Sequence, residues 1–217
     1  MSNYFLARGV GFCRFDDCTL VLDIRRDRYW QLDVEAGILL ASLHGSCTND
    51  IPDVQLKPLI DLGLVGIDGS REEMASLPVP RRSLHDEIGD RTGAAWNDVL
   101  EIAWLTAAAR ARLRLRPLER TLARLRPPKG LNDDTGATLV ELEARFERAR
   151  SLVPLSRCCL PDTLAWLNFI RRRGFSAHLV FGVVAAPFQA HCWAQVGDIV
   201  HNDALDHARR FSPIFVV

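Results

Sequence analysis

Between residues 159 and 203 the hydrophobic repeat changes period, and that change restricts the fold more than any other feature of the chain. Leu160, Leu164, Leu167 and Ile170 recur at helical spacing over Cys159–Arg173, and Gly174 closes the run. Beyond it, 177–184, 189–196 and 199–201 read as short strands, rich in β-branched and aromatic residues. An amphipathic helix followed by successive strands fits an α+β unit. The helix opens on a cysteine, with Pro161 in its first turn, where a missing N–H costs nothing. His191 follows on the second strand and Asp203 just after the third.

The rest of the chain divides around a polar stretch. Segments 10–15, 19–24 and 28–32 are strand candidates separated by the turn residues Asp16 and Asp17 and by the polar break 25–27. Helical patterns follow over 34–43, ending at Gly45, and over 51–62, ending at Gly63. Three strands and then helices make residues 1–75 a winged-helix-like module. Residues 76–92, with Pro78 and Pro80, form the expected linker. From 93 to 217 a second domain is expected, opening with helices over 94–115, 118–126 and 139–152, the first of them interrupted by Pro117.

Charge and composition exclude several classes. The 217 residues carry no net charge, so no global field draws the chain to nucleic acid or anionic lipid. Within residues 1–75, six Arg and one Lys face twelve acidic residues, which argues against phosphate binding by the first module. The Arg-rich run 110–120 spreads around a helix and reads as a solvated or subunit-facing surface. No signal-peptide pattern and no membrane-spanning run is visible, so a cytoplasmic chain is expected. Six scattered cysteines in such a chain are expected as free thiols. Cys158–Cys159 and His191–Cys192 are adjacent pairs without the spacers of a zinc site, so no metal is expected there.

Cys159, His191 and Asp203 each have an ordinary structural reading: an inert buried thiol, a half-buried polar ring and a turn cap. Together they fit thiol catalysis. A helix N-terminus stabilises a thiolate, a histidine holds the ion pair and protonates the leaving amine, and a carboxylate fixes the ring. Strand alternation turns His191 and Trp193 to one face and Cys192 to the other, which sets Cys192 aside as nucleophile. Asp198 and Asp206 are the alternative carboxylates, and Cys158 the alternative thiol. The aromatic third strand, 28–32, reads as an edge suited to adding a peptide strand, or else Trp30 and Leu32 are core.

These residues resemble the lasso-peptide biosynthesis B proteins, the leader peptidases of those pathways. The likeness rests on Cys159-Leu160, the helix end RRRG (171–174), LVFGV (179–183), PFQAHCW (187–193) and the strand-then-Asp at 199–203. It implies a transglutaminase-like, papain-like cysteine-protease domain with Cys159, His191 and Asp203 as its triad. TLVLDIRRDRYWQLDVEAGILLASLHG (19–45) and LIDLGLV (59–65) resemble a PqqD-like recognition element fused in front of it. That implies leader binding by strand addition at Tyr29, Trp30 and Leu32 with the adjacent helix, through Gln55, Leu59 and Leu62. It further implies an endopeptidase that frees the core peptide's amine for an ATP-dependent, asparagine-synthetase-like cyclase. No cofactor is expected on this chain, and any ATP dependence would come through the cyclase. A transglutaminase-like acyltransferase and a non-catalytic peptide-binding chaperone are the competing readings.

Overall fold

In the computed structural model, residues 4–45, 51–66, 77–88, 93–125 and 136–217 are described. Strands β2 (Val10–Arg14), β3 (Thr19–Asp23) and β4 (Arg28–Leu32) form an antiparallel sheet in that order, following a short β1 (Phe5–Leu6). β3 is buried along its whole length because both faces of this sheet are covered. Val21 and Leu32 point to one side, where they pack with Leu40, Leu43, Leu56 and Leu59 from helices α1 (Val34–Gly45) and α2 (Asp53–Asp61). Asp33 starts α1 by accepting the Ala36 N–H at 2.8 Å. Past α2 the chain returns through β5 (Val65–Gly66), which pairs with β1. Asp23, wholly buried, binds Arg25 and Arg26, whose guanidinium groups reach the carbonyls of Gly63 and Leu62. The β3–β4 turn is thereby tied to the end of α2.

The opposite face of β3 belongs to a different core. Leu20, Leu22 and Ile24 join the cluster containing Leu105, Phe146, Trp166, Phe169 and Phe215. The cover is β10 (Ser212–Val216), the edge of a five-stranded sheet ordered β10-β7-β8-β9-β6. Its other members are β6 (Arg82–Ser83), β7 (His178–Val184), β8 (Gln189–Val196) and β9 (Ile199–His201). Helix α3 (Trp96–Leu115), the short α4 (Leu118–Leu122) and α5 (Gly136–Leu152) precede α6 (Cys159–Arg171), which packs on β8. Phe146 of α5 meets Trp166 and Phe169 of α6 at ring-centroid distances of 5.3 and 5.6 Å.

The helix-then-strands pattern over 159–203 matches these elements, so the architecture is α+β. The segment 76–92, expected as a linker, requires correction. Arg82 and Ser83 pair in parallel with Ile199 and Val200, so this stretch supplies a sheet edge and is no mere spacer. The helix expected to run to 126 is described as α4 only through Leu122 and a following turn. Strand β10 was hidden by Pro213, which an edge strand tolerates where a central one does not.

Candidate active site

Helix α6 begins at Cys159, with Cys158 as its N-cap residue in extended backbone. The start is held from beneath. Asp162, in the helix's first turn, accepts the Cys158 N–H at 3.0 Å and is gripped by Arg150 through contacts of 2.9 and 3.2 Å. Arg150 is 1% exposed and also donates to the carbonyls of Leu155 and Ser156, so one guanidinium fixes the whole approach to the helix. The two adjacent thiols are thereby separated. Cys158 is exposed, while Cys159 is half-buried and turned to the sheet.

Strand β9 pairs with β8 only at Ala194–Val196. The neighbouring edge of β8, at His191 and Cys192, is left to the start of α6. Cys159 lies against that edge, beside Cys192 and the His191 ring. Cys192 first and then His191 outweigh the cost of burial and lower the Cys159 thiol to about 4. Burial works against the His191 imidazolium, but Asp203 and the Cys159 sulfur raise it to about 9. The Cys192 thiol itself is pushed well up by the neighbouring Cys159 sulfur and by its own burial, and it donates to Thr163 Oγ1 at 3.9 Å.

His191 Nε2 donates to Asp203 Oδ2 at 2.7 Å, so Asp203, rather than Asp198 or Asp206, is the carboxylate paired with the ring. Burial raises the Asp203 carboxyl, but its bonds to His191 and His207 prevail and hold it below the ordinary range. His207 Nδ1 lies 2.9 Å from Asp203 Oδ1, and its ring meets that of His191 edge-on at 4.5 Å. Trp193 and Phe211 complete an aromatic wall around His191. The backbone of Asp203 is braced too. Ser83 Oγ donates to its carbonyl at 2.6 Å, while Asn202, in left-handed conformation (φ 54°), donates its side-chain amide to Thr163 on α6 and its N–H to Glu143 on α5.

Sequence reasoning brought Cys159, His191 and Asp203 forward, and they are brought together. It missed Cys192 as a neighbour of the Cys159 sulfur, because alternation accounts for the faces of a strand and not for the edge that α6 covers. It also missed His207, Asn202, Ser83 and Glu143. Of these, only His207 left a sequence signal, four residues after Asp203 on helix α7 (Leu205–Ala208).

The residues nominated for peptide binding are divided. Leu32 and Leu59 are buried in the core between sheet and helices, with Trp30 packed against them. Gln55 is exposed and Leu62 half-buried. Tyr29 turns the other way, toward the site. Its ring meets Phe188 edge-on at 5.4 Å, and its hydroxyl is pushed up by burial and then by the charges of Cys192 and Cys159. No helix among the described residues is long and apolar enough to cross a membrane.

A short stretch resembles the Microcin J25-processing protein McjB of Escherichia coli, 39% identical over 56 residues. That stretch is 26% of this chain and spans 27% of the length of McjB. No solved structure matches the chain significantly. Residues 102–216, just over half of the chain, match the family model of the transglutaminase-like superfamily, and they contain Cys159, His191 and Asp203. The chain belongs to the transglutaminase-like superfamily.

Proposed function

We propose that this chain is a cysteine endopeptidase that removes the leader from a lasso-peptide precursor. The observation that carries the reading is the half-buried Cys159 at the start of α6 set beside His191, whose ring bonds Asp203 at 2.7 Å. The partial likeness to McjB supports the substrate class. Cys159 Sγ attacks the scissile carbonyl carbon, and its oxygen takes up the negative charge beside the backbone N–H groups opening α6. His191 gives its proton to the departing amine, leaving an acyl-enzyme. Water then adds with His191 as base, the thiolate leaves, and the leader departs as a carboxylate. The core peptide keeps a free α-amine, the nucleophile that an asparagine-synthetase-like, ATP-dependent cyclase would join to an acidic side chain.

The first module is the leader-binding element of this reading, a PqqD-like unit that takes the leader as an added strand on the free edge of β4. Tyr29 on that strand abuts Phe188, three residues before His191, so a peptide on this edge lies close to the nucleophile. Such tethering raises the effective concentration of the scissile bond. The test is incubation of the purified chain with its precursor, followed by mass spectrometry. Release of leader and core by the wild type, abolished in Cys159→Ala and retained in Cys158→Ala, is the expected result. Cleavage surviving Cys159→Ala would sink the proposal, and an amine adduct in place of the hydrolysed product would assign acyl transfer instead.

A further inference from the structure

We propose that His85, Glu143 and Glu147 form a divalent transition-metal site, completed by His201, behind the carboxylate end of the triad. Glu143 and Glu147 stand one turn apart on α5 and project from one face. His85 follows β6, and His201 ends β9. One ring nitrogen of His85 and one oxygen of each glutamate lie within 4.8 Å of one another. Nδ1 of His201 is 3.4 Å from Oε2 of Glu143. Ligands bonded at about 2.1 Å to a tetrahedral ion are roughly 3.4 Å apart, so side-chain adjustments of about an ångström bring His85, Glu143 and Glu147 into range, with His201 already beside Glu143.

A second observation points to a missing cation. Glu143 and His201 are 0% and 1% exposed. Yet Glu143 Oε2, both ring nitrogens of His201 and Nδ1 of His85 are buried without a hydrogen bond among the described residues. Native interiors leave few such atoms, and an unfilled ion site is an ordinary cause. Arg157 pairs with Glu147 from the solvent side at 2.8 Å and is itself half-exposed. Imidazole and carboxylate ligands without thiolate suit zinc, manganese or iron.

The other histidine–carboxylate cluster differs in this respect. His191 and His207 both already bond Asp203, so that group is satisfied without an ion. The proposed metal would act on the triad through the backbone. Glu143 Oε1 accepts the N–H of Asn202, immediately before Asp203, and Ser83, two residues before His85, holds the Asp203 carbonyl. This site departs from the sequence-based expectation of no metal, and it stands independently of the reaction proposed above.

The experiment strips the full chain with a chelator, titrates it with Zn²⁺ and measures retained zinc by elemental mass spectrometry. Wild type, His85→Ala, Glu147→Gln and His207→Ala are compared, with circular dichroism verifying their fold. About one tightly held zinc and a raised Tm are expected in the wild type and in His207→Ala. Affinity falling at least tenfold in both His85→Ala and Glu147→Gln, with loss of the thermal shift, is the expected signature. A wild type that retains no zinc, variants that all retain it equally, or loss confined to His207→Ala would each overturn the assignment.

Discussion

Cys159 holds a thiolate above about pH 4 and His191 an imidazolium below about pH 9, so both charges coexist between those limits. For the proposed hydrolysis, kcat/KM should therefore rise through the acid limit, stay level, and fall as His191 loses its proton. The two limits have different owners, which makes them separable. Cys192 is the neighbour that lowers the Cys159 thiol most, so Cys192→Ala should move the acid limb upward by about one pH unit, the equivalent of roughly 1.4 kcal/mol. Asp203→Asn withdraws the charge that raises His191, so the alkaline limb should move down, with a loss of a hundredfold or more at the plateau. Thiolate absorbance against pH follows the first shift without any substrate. An acid limb unmoved in Cys192→Ala would deny the thiol–thiolate contact any electrostatic role.

At the scale of elements, the helix start depends on a neighbouring helix. Arg150 leaves α5 to bind Asp162, Leu155 and Ser156, and Asp162 in turn receives the Cys158 N–H. A buried ion pair broken on one side leaves an uncompensated charge, so Asp162→Ala should cost about 3–5 kcal/mol in chemical denaturation. Arg150→Met combined with Asp162→Leu should cost much less than the two single changes added together. Strict additivity in that cycle would show the pair to be uncoupled. The same elements explain what could be read in advance. From α6 to β9 the chain is long, periodic and punctuated by Gly174, so helix and strands were legible. β1, β5 and β6 have two residues each, too few for any period, and exist only because a distant strand supplies their partner. Arg150 stands in a run of helix-forming residues with nothing to mark it as buried.

The whole molecule departs from a picture of two independent modules on a linker. Leu20, Leu22 and Ile24 belong to the same core as α3, α5 and α6, so removing residues 1–75 would strip that core of one wall. The contact is close at Gly11 on β2. A Cβ added there would collide with the Ile214 carbonyl and come within 2.8 Å of the Phe215 ring, both on β10. β10 pairs directly with β7, which pairs with the strand carrying His191, so a shift at this contact is passed on through two ladders of backbone bonds. Gly11→Val should accordingly destabilise the chain by about 1–3 kcal/mol, as overpacking of a filled interior does. Urea unfolding followed by tryptophan emission and by far-UV circular dichroism should give coincident transitions in both wild type and variant, because halves that share a core unfold as one unit. The comparison is informative because Trp30 reports the first sheet while Trp166 and Trp193 report the transglutaminase-like part. Separate transitions, or a fragment of residues 77–217 with wild-type stability, would show that the shared face of β3 contributes no cohesion and that the first module is an appendage.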